Sequence, residues 1–336
     1  MNLTRRSFLS AVGATAAAVT LPAYVKNAYA NTSLIYSDVL PASNFQVQNV
    51  VRYAERLKQE SGGEIAINVI AGGALGVHSQ DAMYAVQSGM VQMAGLNLSA
   101  QVGEIPLLGS EGIPFLVEDY QQLSDFHQYF RPEVERIMGD NQQKCLFLSP
   151  SPPQYLFLNK LVETHDDLYG VPIRGADKFT VDICNAIGMS GVIIPWGETI
   201  PALATGRVDG VATSAASAND GQFWELLKYF YPTNHTWASN AVTINMSSWE
   251  RLSEAQRTLM ADLAIDMEPD FWRASQEADA NSLETLQQHG MEQVAISGAL
   301  MNEMRESCFP LRASFYKRAP QAEELVQQYL SDMGQA

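Results

Sequence analysis

Short strand-like runs alternate with amphipathic helical segments along this chain, and this alternation constrains its fold more than any other feature. Ser33–Val39 has the pattern of a strand, and an amphipathic helix over residues 45–57 follows it and stops at Gly62-Gly63. Glu64–Ile70 then has the pattern of a second strand. Strand, helix and strand in repeated order are typical of α/β proteins. We therefore predict an α/β fold with a largely parallel sheet, whose strand ends form the ligand side.

The alternation restarts after a proline-rich stretch in the middle of the chain. Pro150-Ser151-Pro152-Pro153 interrupts regular structure because proline has no backbone N–H to donate. After it, the pattern predicts strands near residues 155–159, 171–174, 191–194 and 208–212, with helices over 178–187 and 198–205. The 336 residues are about twice the length of an ordinary domain. We therefore expect two domains, with a hinge at the proline-rich stretch.

A long helical segment is predicted in the last third of the chain. Ser253 and Gln256 have the spacing of a capping box, and the helical pattern continues to His289. Pro269 lies within this segment and is expected to break or kink it, since proline cannot donate the internal hydrogen bond. A continuous helix would be about 54 Å long, so we expect this element to lie across both domains.

Charge and motif content exclude several classes of function. Asp and Glu number 37 against 21 Lys and Arg, a formal net charge of −16. Because nucleic-acid binding draws on a basic surface, we expect no nucleic-acid partner. Cys145, Cys184 and Cys308 are too far apart in sequence for a CxxC pair, and HExxH, GxSxG, P-loop and EF-hand motifs are absent from the sequence. We therefore predict no metal-ligating residues and no cofactor, and whether a metal ion joins the ligand site stays open.

The N-terminal segment has the features of a twin-arginine export signal. Arg5 and Arg6 precede an alanine-rich apolar stretch, and Ala28 and Ala30 have the small-x-small spacing that signal peptidase cuts. We predict a cleaved signal peptide over residues 1–30 and a periplasmic mature chain. An N-terminal anchor helix or a cytoplasmic tail is the alternative. No later run of about 18 apolar residues occurs, so the sequence predicts no further membrane-spanning helix.

Several short motifs follow one another along the chain in a characteristic order. They are the turn at Val69–Gly76, the GIPFL run at Gly112–Leu116, the stretch Asp167–Arg174, the PWGE, ALATG and VDG group within Pro195–Gly210, and Thr233–His235 followed by a strand, Trp249 and Leu252. In this order and spacing they resemble the solute-binding proteins of tripartite ATP-independent periplasmic (TRAP) transporters, the DctP family. The resemblance covers nearly all of the mature chain.

The resemblance implies a fold and a function. Members of this family are clamps of two α/β lobes, like other periplasmic binding proteins, joined by crossing strands and a long helix that spans the lobes. The implied division places residues 31–150 and about 239–268 in the first lobe, and residues 151–238 and about 269–336 in the second. The implied partners are a small organic acid and the small and large membrane subunits of a TRAP transporter. Whether the receptor is a monomer or a dimer stays open.

Arg174 is the candidate anchor for a ligand carboxylate. In the family, an arginine at this position forms a salt bridge with the ligand. The chemistry suits the role, because a guanidinium group presents paired N–H donors that match a carboxylate, and burial in a closing cleft strengthens the pair. The alternative is an ordinary structural ion pair between Arg174 and Asp177 or Asp182.

Trp196, Thr213 and Gln154 are the next candidates. Trp196 matches a family position where an aromatic ring packs on the ligand, and a core tryptophan is its alternative. The family commonly has Glu and Asn near Thr213 and, in many sugar-acid receptors, a second Arg at the place of Gln154. Because an acid, an amide and an arginine are missing here, polar ligand groups would lose their partners. We therefore expect a monocarboxylate with a short polar, apolar or aromatic remainder, such as a 2-keto or 2-hydroxy acid.

Ser37, Asn97 and Asp177 complete the candidate site. Ser37 lies at the end of the first predicted strand, Asn97 near the end of the third, and Asp177 matches a family position often held by Asn. For each of the three, a turn or helix-capping role is the alternative.

Two other functions are compatible with the sequence. A cofactor-dependent periplasmic enzyme would also use a twin-arginine signal, and bound chromophore or metal in the pure protein would distinguish it. A partner-binding envelope protein would use the helical segment Ser297–Gln335 as an interface. That segment has apolar residues at loosely helical spacing, a pattern that is more often core than interface.

Overall fold

The computed structural model describes residues 32–334. The predicted signal peptide over residues 1–30 lies outside the described residues and stays a prediction. Within the described part of the chain, eleven strands form two sheets, and ten helices pack around them. In this same part, no helix is long and apolar enough to cross a lipid bilayer.

The elements are numbered in chain order. The strands are β1 (Thr32–Ser37), β2 (Ile65–Ile70), β3 (Met93–Asn97), β4 (Gln143–Pro150), β5 (Gln154–Leu158), β6 (Pro172–Gly175), β7 (Ser190–Ile193), β8 (Gly210–Ser214), β9 (Tyr229–Tyr231), β10 (Ser239–Asn245) and β11 (Glu292–Gln293). The helices are α1 (Phe45–Glu60), α2 (Ala82–Gln87), α3 (Tyr120–Asp140), α4 (Lys178–Ala186), α5 (Trp196–Ala204), α6 (Ala215–Asp220), α7 (Met246–Glu250), α8 (Glu254–Gln288), α9 (Gly298–Arg318) and α10 (Pro320–Asp332).

Each sheet is the centre of one lobe of a two-lobed α/β clamp. The first sheet has the strand order β2-β1-β3-β10-β4, and the second has the order β11-β9-β5-β8-β6-β7. We call the lobes built on them the first and the second lobe. In the first sheet β1 pairs in parallel with β2 and β3, and in the second β6 pairs in parallel with β7 and β8.

The expectation of a largely parallel sheet is wrong, because both sheets are mixed. β10 runs antiparallel to β3 and β4 in the first sheet, and β5 runs antiparallel to β8 and β9 in the second. The physical reason is the chain path. β5 and β10 each enter their sheet directly from the other lobe, so no crossover helix precedes them to set a parallel direction.

The chain crosses between the lobes at two adjacent segments. Residues 151–153 connect β4 to β5, and residues 232–238 connect β9 to β10. The two segments are hydrogen-bonded to each other, from Ser151 N to Ala238 O at 2.8 Å and from Gln154 N to Thr236 O at 3.1 Å. The proline-rich stretch therefore contains one of the two crossing segments, and it lies where the sequence predicts the hinge.

A buried carboxylate holds the start of β10 beside these crossings. Glu111, which is 1% exposed, accepts hydrogen bonds from Ser239 N at 2.6 Å and Ser239 Oγ at 2.9 Å. Its Oε2 also lies 2.7 Å from His127 Nε2 on α3. A buried carboxylate with several donors is stable, and it fixes the point at which the second crossing joins the first sheet.

Helix α8 spans both lobes, as the family resemblance implies. It has 35 residues, about 53 Å at 1.5 Å per residue, and begins with the predicted capping box of Ser253 and Gln256. Met260 and Phe271 on its first half pack in the core of the first lobe, whereas Leu286 near its end packs in the core of the second. Pro269 lies inside the helix without ending it.

The C-terminal helices form a further connection between the lobes, besides the crossing segments and α8. On α9, Phe315 packs against Phe179 of α4 with ring centroids 5.5 Å apart, and on α10, Tyr329 packs edge-on against Phe126 of α3 at 5.2 Å. Phe315 is fully buried, so this face of α9 is core, although Phe309 is 72% exposed. The division of residues between lobes given above stays a prediction. α10, placed there in the second lobe, contacts α3 of the first.

Asp279 on α8 is a buried carboxylate at the contact between the long helix and the second lobe. Its Oδ2 accepts a hydrogen bond from Tyr155 of β5 at 2.9 Å, and its Oδ1 has no donor among residues 32–334. Burial raises the pKa of Asp279 to about 6, against the opposing effect of the Tyr155 hydrogen bond. Because this pKa lies above the unfolded value, the group stabilises the fold at low pH, and this stabilisation is lost as the pH rises through about 6.

We expect Asp279→Asn to raise the free energy of unfolding at pH 7 by about 1–3 kcal/mol and to change it little at pH 4. Urea denaturation at the two pH values measures this. Asp262→Asn, at an exposed position of the same helix, controls for the removal of one negative charge. Equal unfolding free energies of the two variants at pH 7 would contradict the prediction.

Candidate functional site

One cavity lies between the lobes and brings together most of the residues that the sequence singled out. Its volume is about 120 Å³. Six of the seven predicted site residues line it: Asn97, Gln154, Arg174, Asp177, Trp196 and Thr213. Ser37, at the end of β1, does not line it, although the next residue, Asp38, does. Successive side chains of an extended chain point to opposite sides, so the predicted lining residue differs from the observed one by a single position.

Arg174 supplies the positive charge of the cavity. It lies on β6, is 4% exposed, and its Nε donates a hydrogen bond to the main-chain oxygen of Ile194 at 2.9 Å. This bond fixes the plane of the guanidinium group. Among residues 32–334, the two terminal nitrogens of Arg174 have no hydrogen-bond acceptor and no carboxylate within 4.0 Å. The outer edge of the guanidinium group, with one N–H from each terminal nitrogen, is therefore available to a ligand that enters the cavity.

The alternative role of Arg174, a structural ion pair, does not occur within the described residues. Asp182 pairs with Lys178 at 2.7 Å instead. Asp177 caps helix α4, where its Oδ1 accepts from Thr180 N at 2.8 Å. Burial lowers the pKa of Arg174 to about 10, and the charge of Asp177 opposes this shift. The guanidinium group is thus still charged at neutral pH but lacks a protein counter-ion in contact.

Aromatic side chains form the apolar part of the wall. Trp196 is the first residue of α5, is half-buried, and its ring centroid lies 5.9 Å from the guanidinium carbon of Arg174. Trp237 is 2% exposed and donates from Nε1 to Val117 O at 2.8 Å, which fixes its ring. Phe45 and Phe179 also line the cavity. The wall can therefore pack against a flat or apolar ligand body next to the charged anchor.

Thr213 and Gln154 lie on the neighbouring strands β8 and β5. Gly210 begins β8 so close to β5 that an added Cβ would lie 2.5 Å from Phe157 O, so the strand pairing requires a glycine there. This pairing places Thr213 opposite Tyr155 and Gln154 opposite Ser214. Thr213 is buried, and Gln154 donates from Nε2 to Pro152 O at 3.1 Å, beside the crossing. Both side chains are polar and uncharged where they meet the cavity.

Asn97 and Asp177 act as caps and also face each other across the cleft. Asn97 Oδ1 accepts from Ser99 N at 3.0 Å, which caps the 3₁₀ turn Leu98–Gln101 of the first lobe. Ser99 Oγ lies 2.8 Å from Asp177 Oδ2 of the second lobe and 2.8 Å from Asn97 Oδ1. The capping roles weighed for these residues are therefore present. The Ser99 hydroxyl in addition joins the two lobes at the cavity.

A second hydrogen bond joins the lobes at the start of α1. Asn44 caps α1 by accepting from Gln46 N, and its Nδ2 donates to Oδ2 of Asp220, the last residue of α6, at 2.7 Å. Burial raises the pKa of Asp220, and the hydrogen bond from Asn44 opposes this shift. The cavity is therefore spanned by at least two hydrogen bonds between the lobes.

Asp38 is a buried carboxylate of the cavity that the sequence did not single out. It is 5% exposed, its Oδ2 accepts from Tyr36 Oη at 2.5 Å, and its Oδ1 accepts from Leu40 N at 2.9 Å. Burial raises the pKa of Asp38 to about 6, with the Tyr36 hydrogen bond opposing. Gly95 leaves space for this pair. The one sequence signal was an acidic residue near the end of a predicted strand in an α/β pattern.

Gln46 and Asn240 are two further polar residues that the sequence did not single out. They are 5% and 7% exposed, and both line the cavity. Gln46 Oε1 and Asn240 Oδ1 have no hydrogen-bond partner among residues 32–334. Because a buried polar atom without a partner is costly, these two amides have capacity for a bound molecule. No periodicity or spacing in the sequence distinguishes them from ordinary surface amides.

Other parts of the described chain offer less to a ligand. A wider groove of about 810 Å³ lies between α3, β4 and α8. Of its charged lining residues, Arg131 is already paired with Glu135 and Glu268, and Lys144 is half-buried beside them. Within residues 32–334, no group of three or more His, Cys, Asp or Glu side chains is placed to hold a metal ion. The interlobe cavity is therefore the candidate site.

Comparison with protein families gives one clear match. Residues 36–319 match the model of the DctP family, described as bacterial extracellular solute-binding protein, family 7. The match includes the end of β1, all other strands of the two sheets, both crossings and the residues that line the cavity.

Individual relatives are distant in sequence and close in fold. The ectoine-binding periplasmic protein TeaA of Halomonas elongata is 23% identical over 298 residues, covering 86% of this chain and 83% of that protein. The chain spans about half the length of another relative, an uncharacterised protein of Sinorhizobium fredii, 27% identical over 301 residues, or 82% of this chain and 54% of that protein. A TRAP solute-binding protein from a marine metagenome, solved with co-purified pyroglutamate, has a TM-score of 0.85 at 25% identity, covering 90% of this chain and all of that one.

Gly95 provides a test of how tightly the Asp38 side of the cavity is packed. A Cβ at this position would lie 2.4 Å from both Asp38 Oδ2 and Tyr36 Oη, two buried atoms that are hydrogen-bonded to each other. We expect Gly95→Ala to lower the free energy of unfolding by about 1–3 kcal/mol, measured by urea denaturation. Gly103→Ala, where an added Cβ meets nothing within 4 Å, is the matched control. The packing argument fails if the two variants are equally stable.

Proposed function

The chain belongs to the bacterial extracellular solute-binding proteins of family 7, and from this premise we propose that it is a periplasmic receptor for an organic carboxylate. It captures the acid in the interlobe cavity and delivers it to the small and large membrane subunits of a TRAP symporter. The proposed ligand is a monocarboxylate, such as a 2-keto, 2-hydroxy or aromatic acid. The proposed activity is binding and release, without a catalytic step.

The observation that carries this proposal is the buried guanidinium of Arg174. It lines the cavity, is positioned by Ile194 O, and has no carboxylate within ion-pair distance in the described chain. A buried charge without a counter-ion destabilises the protein that contains it. A ligand carboxylate would supply the missing partner through two parallel N–H···O bonds. The site is thus suited to one carboxylate at this position.

The rest of the lining supports a small acid with a single carboxylate. Among the described residues that line the cavity, Arg174 is the only Lys or Arg, and the two acidic ones are Asp38 and Asp177. A second ligand carboxylate would therefore meet negative charge without a cation. Trp196, Trp237 and Phe179 provide the apolar surface for the remainder of the ligand.

The compounds named for the relatives support a small, compact ligand for this chain. TeaA is named for ectoine, and the metagenomic receptor was solved with pyroglutamate. Neither identity is high enough to carry a ligand over to this chain, so both compounds enter as candidates to be tested. Their names are consistent with a cavity that surrounds a single small molecule.

Closure is the proposed link between binding and transport. The two lobes meet at the cavity and are joined by the crossing strands, by α8 and by the hydrogen bonds of Asn44 and Ser99. A ligand that contacts both lobes binds the closed form more tightly than the open one and shifts the population toward it. The closed, loaded form is then the one for the membrane subunits to recognise.

Arg174→Gln tests the anchor, because it removes the charge but keeps most of the side chain. The assay is thermal denaturation of ligand-stripped protein with a panel of keto, hydroxy, aromatic, sugar and dicarboxylic acids, pyroglutamate and ectoine. A true ligand at about a hundred times its dissociation constant stabilises the protein by about 2.7 kcal/mol. We expect Arg174→Gln to weaken binding of that acid at least about 30-fold, since truncating one partner of a buried charge pair costs about 2–5 kcal/mol.

Arg207→Gln is the control, because Arg207 is an exposed arginine of the second lobe outside the cavity. Normal affinity in Arg174→Gln would remove the proposed anchor. No stabilisation by any acid, with ligand removal verified by mass spectrometry, would contradict the receptor function.

The Asn44–Asp220 hydrogen bond tests the role of closure. Asn44→Ala and Asp220→Ala should each weaken binding of the identified acid about 10-fold or more, because each removes one hydrogen bond between the lobes to a charged group, worth about 1.5–3 kcal/mol. Calorimetric titration measures the affinities. If the two residues act through one bond, the double variant loses little more than either single variant. Fully additive losses, or no loss, would show that this bond does not stabilise the closed form.

A further inference from the structure

We propose that Asp38 makes the cavity selective for carboxylic acids that carry a second hydrogen-bond donor, an N–H or an O–H, and excludes dicarboxylates. The inference rests on the proposed function, because it takes a carboxylate at Arg174 as given, and it narrows the ligand class. Among the acids named above, it favours 2-hydroxy acids and acids with a ring N–H over 2-keto acids.

The first argument is the position of the Asp38 carboxylate. It lies at the end of β1 in the first lobe and lines the cavity with Gly95. Tyr36 Oη and Leu40 N each donate one hydrogen bond to it, one to each oxygen. A carboxylate can accept about four hydrogen bonds, so Asp38 has capacity for further donors. The two existing bonds hold it in one orientation, and the lack of a Cβ at Gly95 leaves the space that it occupies.

The second argument is electrostatic. A ligand carboxylate neutralises Arg174, and Asp38 then has no cation within 4.0 Å among the described residues. A ligand keto oxygen or second carboxylate beside Asp38 would add an acceptor or a negative charge where a donor is needed. A ligand N–H or O–H would instead form a charge-assisted hydrogen bond. With a pKa near 6, Asp38 is mostly ionised at pH 7.5, so it acts as an acceptor there.

The third argument comes from the two amides on the same side of the cavity. Gln46 on α1 and Asn240 on β10 both belong to the first lobe, and one oxygen of each is buried with no partner among residues 32–334. Arg174, in contrast, belongs to the second lobe. A ligand with a carboxylate and a donor would therefore be held by both lobes. An acid without a donor would be held mainly by the second.

The test uses pairs of acids that differ only in the donor. The probes are lactate and pyruvate, mandelate and phenylglyoxylate, and pyrrole-2-carboxylate and furan-2-carboxylate, with succinate as the dicarboxylate. Calorimetric titration of the ligand-stripped protein at pH 7.5 gives the affinities. We expect the donor-bearing acid to bind at least about tenfold more tightly in every pair that binds, and succinate not to bind.

Asp38→Asn tests the residue itself, because the amide has a similar shape but no charge and can donate as well as accept. We expect the ratio of the two affinities within a pair to fall below about threefold, chiefly because the acid without the donor binds more tightly. Asp81→Asn, at an exposed acidic position of the first lobe, is the control and should keep the wild-type preference. If Asp38→Asn does not fold, the affinity ratios of the acid pairs on the wild-type protein test the selectivity on their own.

The outcomes separate this inference from the proposed function. Equal affinities within the pairs, abolished by Arg174→Gln, would overturn the selectivity and leave the carboxylate receptor intact. Tight, Arg174-dependent binding of succinate, or of donor-free acids only, would do the same. Loss of all Arg174-dependent binding across this set and the wider acid panel would instead contradict the proposed function.

Discussion

The charge of Arg174, buried between two lobes with a main-chain oxygen as its hydrogen-bond partner, is the constraint on which the rest of the site depends. A guanidinium group taken out of water costs several kcal/mol unless a counter-ion compensates it. Here Ile194 O fixes one edge of the group, and Asp177 and Asp182 are engaged elsewhere, as a helix cap and with Lys178. The fold thus tolerates a locally unfavourable charge. In the proposed receptor, a carboxylate that entered beside Arg174 would remove this cost, and the free energy recovered would contribute to the affinity.

The two lobes contribute opposite chemistry to one cavity. The second lobe supplies the cation and Trp196, whereas the first supplies the Asp38 carboxylate and the amides of Gln46 and Asn240. This division matters because the lobes are joined by two crossing strands and α8, elements that can keep their hydrogen bonds while the lobes change their separation. In the proposed receptor, binding energy that requires both walls would be gained only when the lobes close. Ligand chemistry and closure would then be two aspects of the same interaction.

Much of the fold could be predicted from local patterns, because each pattern has a local cause. The capping box of Ser253 and Gln256 marks the start of α8, and strand-helix alternation places most of β1, α1 and β2. The directions of β5 and β10 could not be predicted. Whether a strand runs parallel or antiparallel depends on which lobe the chain arrives from, and no residue within either strand records that.

The same distinction applies to the site. The sequence by itself determined the family and singled out Arg174 as the candidate anchor and Trp196 as the candidate aromatic wall, since these belong to motifs with a recognisable order. Only the tertiary structure decided that Asp38 rather than Ser37 faces the cavity, and that Gln46 and Asn240 keep buried oxygens without partners beside it. The reason is physical. A motif consists of residue types at local spacing, whereas the neighbours of a buried polar atom come from segments up to about two hundred positions apart. Only folding brings these segments together and decides whether the atom has a hydrogen-bond partner.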